Sequence, residues 1–217
     1  MIDLALRILV SYLLGSVVGS LLMGRLRGGV DIRTLASGNA GATNALRTQG
    51  KSFALWVLLI DIVKGWVAIR VVAQLTFTGG GDPVSSGQLL AWSAPLCGIV
   101  VMIGHVYPVW YGFRGGKGVA TLVGVVLGLG PWLLLPVLVA WLVTAVLFGF
   151  VGLASMVAAA SLPVAVAVTH VEPTAPLLAF GICAAILIVF THRSNIARML
   201  AGKEPRSRRL WLFGKQR

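Results

Sequence analysis

The chain is a succession of apolar runs separated by short polar, glycine-rich stretches. The runs occupy residues 3–24, 53–77, 89–106, 118–130, 132–148, 153–168 and 177–191. About 20 residues of helix, rising 1.5 Å each, cross the roughly 30 Å hydrocarbon layer of a bilayer, so runs of this kind read as transmembrane helices. The run 118–130 is the short one. Thirteen residues reach only about 20 Å, which fits a tilted or partial helix beside a cavity. In the first run Gly15, Gly19 and Gly24, with Ser11, Ser16 and Ser20, set small residues about one turn apart, a pattern that favours close helix packing in lipid. No small-residue cleavage site leads from that run into a soluble segment, so it reads as a retained span.

The polar stretches orient the runs. Residues 25–52 hold Arg25, Arg27, Arg33, Arg47 and Lys51 against the single acid Asp31. Residues 107–117 hold Arg114 and Lys117, and the tail from Arg193 holds eight bases against Glu204. Residues 78–88 carry no Lys or Arg, and neither does any position from Gly118 to His192. Basic loops stay cytoplasmic, so the three basic stretches are expected on the inside. The expectation is an all-α, polytopic integral membrane protein with seven transmembrane helices, N-terminus outside and C-terminus cytoplasmic. It is read as a single membrane-embedded domain over 1–217 with a basic cytoplasmic tail, 193–217. Merging the short run with a neighbour leaves five spans as the alternative.

Composition agrees. The chain is 58% hydrophobic and 11% charged, with mean hydropathy +0.93. A soluble domain carries about 25% charged residues, so a water-facing globule, a coiled coil and a disordered tail are excluded. The net charge of +12 does not point to nucleic acid, because the bases mark loops and one end. Cys97 and Cys183 lie in apolar runs and read as small core hydrophobes rather than a disulfide framework. The 3 histidines are widely separated and no HExxH, GxSxG or GxxxxGK[ST] occurs, so no metal, nucleotide or other cofactor is expected. Asp61 and Lys64, three apart in the second run, read as a buried ion pair or a polar pathway.

Three stretches break the apolar background. Ser37-Gly38-Asn39-Ala40-Gly41-Ala42-Thr43-Asn44, followed by Arg47, combines turn-forming glycines, neutral donors and a cationic fork suited to phosphate. Asn44 to Arg47 fit the opening of a helix, whose N-terminus attracts an anion. Gly104-His105-Val106-Tyr107-Pro108 and Phe113-Arg114-Gly115-Gly116-Lys117-Gly118 repeat the pairing of a cation with glycines. Tyr107, Trp110 and Tyr111 fit an interfacial aromatic belt. In Thr191-His192-Arg193-Ser194-Asn195, His192 and Asn195 share a face if the helix continues. Ser155 reads mainly as packing, and the tail bases Arg206, Arg208 and Arg209 as contacts to anionic headgroups. Together the residues allow an anion site at the cytoplasmic face, used either to transform a phosphate ester or to carry it. A transporter needs a midplane site on discontinuous helices, whereas these motifs sit near one face. A scaffold leaves unexplained why three stretches on one side share glycine, asparagine and a cation.

SGNAGATNALR, GHVYPVWYGFRGGKGVAT and THRSNIARMLAGKEP resemble the three cytoplasmic motifs of the bacterial acyl-phosphate:glycerol-3-phosphate acyltransferase family, in order and spacing. The resemblance implies a multi-pass enzyme of the bacterial inner membrane. It would transfer a fatty acyl group from acyl phosphate to the 1-hydroxyl of sn-glycerol 3-phosphate, the first acylation of phospholipid synthesis. Its partners would be those two substrates and membrane lipids, with no nucleic acid, and the chain is read as monomeric. Residue by residue, the resemblance implies catalytic roles for Ser37, Arg47, Lys117, His192 and Asn195. It implies substrate-binding roles for Asn39, Thr43, Asn44, His105, Gly115, Gly116, Gly118, Ser155 and Glu204. Acyl phosphate is already activated, so direct attack by the glycerol hydroxyl is expected, with a substrate phosphate oxygen or His192 taking the proton. Two positions depart from the family pattern: Ala40 stands where proline is common, and Gly152 where the first serine of SLAS stands.

The charge distribution generates a labelling test. Single cysteines replacing Ser86 and Thr174 are expected to react with an impermeant reagent from outside, and those replacing Ser52 and Ser207 only from inside. Labelling of positions 52 and 86 from the same side would break the seven-span topology at its second helix.

Overall fold

The structure is a computed structural model that describes residues 2–77, 87–207 and 210–212. Helices and short turns make up the described residues, with no strand among them. Four helical stretches are long and apolar enough to cross a membrane: Ala91–Tyr111, Pro131–Phe148, Val151–Thr169 and Thr174–Thr191. A bent pair, Ile2–Gly15 with Gly19–Leu26, makes a fifth. The chain divides into two compact units, Met1–Leu129 and Gly130–Arg217.

In the first unit the run expected as one span is two helices, α1 (Ile2–Gly15) and α2 (Gly19–Leu26), meeting at 50°. A broken helix leaves carbonyl and N–H groups without intrahelical partners, which apolar surroundings do not tolerate. The second run supplies the missing partners. It lies in α3 (Ala42–Arg70), a helix kinked at Gly50 with φ 85°. Lys64 Nζ donates to Gly15 O at 3.0 Å and Val17 O at 2.8 Å. Gly19 N–H donates to Asp61 Oδ1 at 3.1 Å. The two side chains pair at 2.9 Å and are almost wholly buried, as their spacing implied. They close the break as well as neutralising each other.

Helix α3 stops at Arg70, short of the expected 77, and a 3-10 turn spans Val72–Gln74. Buried Arg7 holds this end through Nε to Leu75 O at 2.7 Å and Nη1 to Ser93 Oγ at 3.3 Å; Ser93 Oγ donates to Ala73 O at 3.0 Å. The Lys/Arg-free stretch 78–86, including Ser86, lies outside the described residues. Then come α4 (Gly87–Val106) and α5 (Val119–Leu129). The 11 residues of α5 reach about 16 Å, so the short run is a partial helix, packed against α3. Glycines set that packing. A Cβ on Gly65 would meet the Thr121 carbonyl, and one on Gly124 the Ile62 carbonyl. Register gives the directions. Arg7 meets Ser93 and Gly15 meets Val101, so α1 and α4 run the same way. Gly65 meets Thr121 and Ile69 meets Gly128, so α3 and α5 run together; Lys64 meeting Gly15 while Leu75 meets Arg7 sets α3 against α1.

The second unit holds α6 (Leu134–Phe148), α7 (Val151–Thr169), α8 (Thr174–Thr191) and α9 (Arg193–Leu200). Helix α7 packs against both α6 and α8, and Gly181 of α8 lies against Pro163 of α7. Leu135, Leu138, Leu142 and Val143 of α6 stay exposed, a stripe whose solvent is lipid. Cys97 of the first unit is buried as expected, but Cys183 is exposed and not a core residue. The tail also departs from expectation. Ser207 N–H donates to Gly149 O at 2.8 Å, and the Arg206 guanidinium stacks on Phe150 at 4.8 Å and Trp211 at 4.2 Å. Arg206 therefore straps the α6–α7 turn, because an aromatic face is available to it; Arg208 and Arg209 lie outside the described residues.

The glycine contact of α3 with α5 is testable. Gly124→Ala is expected to destabilise the protein by about 1–3 kcal/mol, because backbone must move to admit the methyl. Thermal unfolding in detergent reads the loss, and an unchanged midpoint would show that the helices separate freely.

Candidate active site

Two loops of the first unit converge. The first begins at Asp31, whose carboxylate accepts the Arg33 N–H at 2.9 Å and grips its guanidinium at 2.7–3.1 Å, fixing the 3-10 turn Ile32–Thr34. Hydrogen bonds from Arg33 hold the Asp31 carboxyl below its ordinary range, against the partial burial that would raise it. Arg33 Nη1 reaches on to the carbonyls of Tyr111 and Arg114, both at 2.9 Å, and so joins this loop to the second.

Asn44, buried in the first turn of α3, holds the loop from beneath. Its Nδ2 donates to Ile32 O at 2.9 Å and Leu35 O at 3.1 Å, and its Oδ1 accepts from Ser37 N–H at 3.2 Å. That grip shapes a turn with Ala36 at φ 45° and Gly38 at φ 69°, left-handed conformations that cost an alanine most. Ser37 is exposed, Asn39 half-buried and Ala40 fully buried against Val18 and Leu21. The helix opens at Ala42, two residues before the expected Asn44, with Gly41 as N-cap and no side-chain cap. Thr43 and Arg47 are exposed and four apart on its first turns.

The second loop folds back on the end of α4. Gly115 N–H donates to Val106 O at 3.0 Å and Gly116 N–H to His105 O at 3.1 Å, pairing carbonyls the helix end leaves open. Both glycines are required by close approach. A Cβ on Gly115 would strike His105 O, and one on Gly116 would strike His105 Nε2 and lie 2.9 Å from Ala40 O. Gly118 takes φ 86° and its carbonyl accepts the Leu122 N–H at 2.8 Å, so half-buried Lys117 stands at the start of α5.

The third stretch belongs to the second unit. His192 is buried at the junction of α8 and α9, and its Nδ1 lies 2.7 Å from Ile188 O. A carbonyl only accepts, so Nδ1 carries a proton. Asn195 N–H donates to His192 O at 2.8 Å, and Asn195 Nδ2 donates to Glu204 Oε1 at 2.6 Å. Arg198 Nε donates to Glu204 Oε2 at 2.6 Å. A Cβ on Gly152 would lie 2.9 Å from Asn195 Nδ2, so the absent serine of the family pattern leaves the room that Asn195 uses. Ser155 is buried and back-bonded to Val151 O at 2.9 Å.

The first unit thus gathers Ser37 and Asn39 on one loop with Thr43 and Arg47 on the helix turns that follow it, and Gly115, Gly116, Lys117 and Gly118 on the other with His105 at the end of α4, with Ala40 and Gly116 at the junction. Two expected substrate ligands stand differently. Both amide hydrogens of Asn44 serve loop backbone, and the two carboxylate oxygens of Glu204 serve Asn195 and Arg198. Each holds a neighbour in place. The staple by Asp31 and Arg33 escapes sequence reasoning, which reads them only as loop charges; their i,i+2 spacing was its one visible sign.

Residues 5–202 match the profile of the family described as glycerol-3-phosphate acyltransferase. The chain belongs to the glycerol-3-phosphate acyltransferase family. The glycerol-3-phosphate acyltransferase of Synechococcus elongatus is 41% identical over 198 residues, covering 91% of each chain. That of Agrobacterium fabrum is 39% identical over 204 residues, covering 94% of this chain and 91% of the relative. The fold resembles the crystal structure of PlsY (YgiH), an integral membrane glycerol 3-phosphate acyltransferase, in its glycerol 3-phosphate form. The TM-score is 0.81 and the identity 34%, with 94% of each chain covered. The lysophosphatidic acid form of PlsY matches with TM-score 0.79. This glycerol-3-phosphate acyltransferase is accordingly a multi-pass membrane protein.

The loop grip of Asn44 can be measured in this acyltransferase. Asn44→Ala leaves Ser37 N–H without its partner and takes one of two donors from Ile32 O and from Leu35 O, which keep the Leu35 and Gly38 N–H groups, at about 1–3 kcal/mol in all. Amide hydrogen exchange over residues 32–38 is expected to accelerate about tenfold or more, with α4 unaffected. Unchanged protection there would assign the loop's shape to Arg33 alone.

Proposed function

We infer that the protein transfers a fatty acyl group from acyl phosphate to the 1-hydroxyl of sn-glycerol 3-phosphate. The products are 1-acyl-sn-glycerol 3-phosphate (lysophosphatidate) and inorganic phosphate. The observation that carries this reading is the meeting of two glycine loops at Ala40 and Gly116, one leading into the α3 turns that carry Arg47 and the other carrying Lys117. The reaction brings two anions together, so their repulsion has to be neutralised while the hydroxyl is aimed at the carbonyl. Arginine clamps a phosphate through two parallel bonds, and lysine adds a compact charge. PlsY structures carrying glycerol 3-phosphate and lysophosphatidic acid support the same substrate and product for this chain.

The chemistry needs no enzyme nucleophile. The hydroxyl oxygen attacks the acyl carbonyl carbon, a new C–O ester bond forms, and the acyl–phosphate C–O bond breaks with its electron pair leaving on phosphate. The hydroxyl proton ends on a phosphate oxygen, and His192 is the alternative acceptor. Ser37, Asn39 and Thr43 serve as neutral donors beside Arg47, and Asn195 acts with His192 in the second unit. No metal ion or cofactor enters this scheme. The protein works as a single membrane-embedded domain of the bacterial inner membrane, with seven crossings, N-terminus outside and C-terminus cytoplasmic. The opposed directions of α1 and α3, and of α3 and α4, support that topology, together with the basic loops.

Purified protein with acyl phosphate and glycerol 3-phosphate is expected to form lysophosphatidate, and acyl-CoA in place of acyl phosphate to give none. Arg47→Lys and Lys117→Ala are each expected to lower kcat/KM by about 10²-fold or more, and Arg70→Ala, at the far end of α3, by less than about threefold. Steady-state kinetics on variants matched by size exclusion decides. Near-normal turnover in both loop variants would return these bases to ordinary loop charges.

A further inference from the structure

His105 has one ring edge against a buried ion pair and the other against the glycine loops. Its Nδ1 lies 2.8 Å from Lys64 Nζ and 3.4 Å from Asp61 Oδ1. Its Nε2 abuts Gly116, at the junction with Ala40 O. The ring is almost wholly buried, and so are Asp61 and Lys64. A lysine ammonium has three donors and no acceptor capacity; shared among Gly15 O, Val17 O, Asp61 Oδ1 and this nitrogen, they favour a lone pair on Nδ1 over a further N–H facing them. A proton on Nδ1 would set two donors against each other; the carboxylate that would welcome one is 0.6 Å farther than the ammonium, by the two distances just given. The proton then belongs on Nε2, because the bond made by one ring nitrogen sets the state of the other.

We propose that Lys64 is a positioning residue that fixes His105 in the Nε2–H tautomer, turning it into a hydrogen-bond donor to a substrate phosphate oxygen at the junction of the two glycine loops. Lys64 itself is fixed. Gly15 O at 3.0 Å, Val17 O at 2.8 Å and Asp61 at 2.9 Å surround its ammonium, so the break between α1 and α2 is what aims it at His105. Gly116 completes the device, since any Cβ there would cover Nε2. The kinetic part of this proposal rests on the acyltransferase reading; the tautomer does not.

With 3 histidines in the chain, ¹⁵N-histidine labelling gives three ring systems, and His105→Gln identifies the one of interest. In the intact protein in detergent that ring is expected to be neutral, with Nδ1 unprotonated and Nε2 protonated. Added glycerol 3-phosphate is expected to shift Nε2 and leave Nδ1 in place. Lys64→Met leaves Asp61 as the polar neighbour of Nδ1, so the proton is expected to move to Nδ1. The kinetic counterpart uses amides that mimic one ring nitrogen each. His105→Gln keeps a donor near the Nε2 position and is expected to stay within about tenfold of the parent kcat/KM, while His105→Asn falls by about 10²-fold or more. A proton on Nδ1 or on both nitrogens in the intact protein, an Nε2 unmoved by glycerol 3-phosphate, or equal activity of the two amide variants would overturn the proposal. If Lys64→Met does not fold, the intact-protein spectrum and the amide pair decide. If the intact protein lacks acyltransferase activity, the spectrum still reads the tautomer, so the two failures are distinct.

Discussion

The pair of Asp61 and Lys64 inside α3 is the interaction on which the first unit depends. A lone charge of either sign is costly in a bilayer, and a broken helix there is costly too. Each problem answers the other. The ammonium takes two carbonyls from the break between α1 and α2, the carboxylate takes the Gly19 N–H, and each neutralises its partner. Removing one member would leave a buried charge and orphaned backbone together, which is the expensive way to lose an ion pair. The same cluster touches His105, and so reaches from the kink of the first span to the loop that carries Lys117.

Close approach of backbone is the second constraint. Gly15 meets the Val101 backbone, Gly104 the Tyr12 carbonyl, Gly65 the Thr121 carbonyl and Gly124 the Ile62 carbonyl. In lipid there is little hydrophobic force between helices, so dispersion at short range has to hold them, and only small residues permit that range. The consequence is functional as well as mechanical. Helices α3 and α5 run the same way and begin at the two glycine loops. Packing them tightly sets the start of α5 beside α3 near Gly65, and Arg33 then ties the two loops through the carbonyls of Tyr111 and Arg114.

The loops of this glycerol-3-phosphate acyltransferase are stiff for glycine-rich segments. Asn44 fills three backbone hydrogen-bonding positions of the first, and the α4 carbonyls fill two of the second. In the second unit Glu204 and Arg198 do the same for Asn195. An acyl transfer that relies on orientation and charge rather than on an enzyme nucleophile gains from such rigidity, since donors already aimed need no reorganisation during reaction. That is why several polar residues of the motifs turn out to hold neighbours rather than point outward.

Much was legible in the sequence. Helical class, the runs, the Asp61–Lys64 pair and the three polar stretches follow from local quantities: apolar length, charge sign and a spacing of three along one helix. The motifs as a set carry the family. Three things waited for the tertiary structure. The break at Gly15–Gly19 is invisible in a run that stays apolar throughout, and is stabilised by groups 42 to 49 positions away. The roles of Asn44 and Glu204 as holders depend on which carbonyl or amide lies opposite, not on residue type. The joining of the first two motifs rests on Arg33 and on the bare Cα of Gly116, contacts between segments about 80 residues apart that no period or charge count encodes. Sequence by itself determined what kinds of group the protein has and where along the chain they stand. Packing alone decided which of them face a partner within the protein, because hydrogen bonds and steric contacts act over a few ångströms in space and at any separation along the chain.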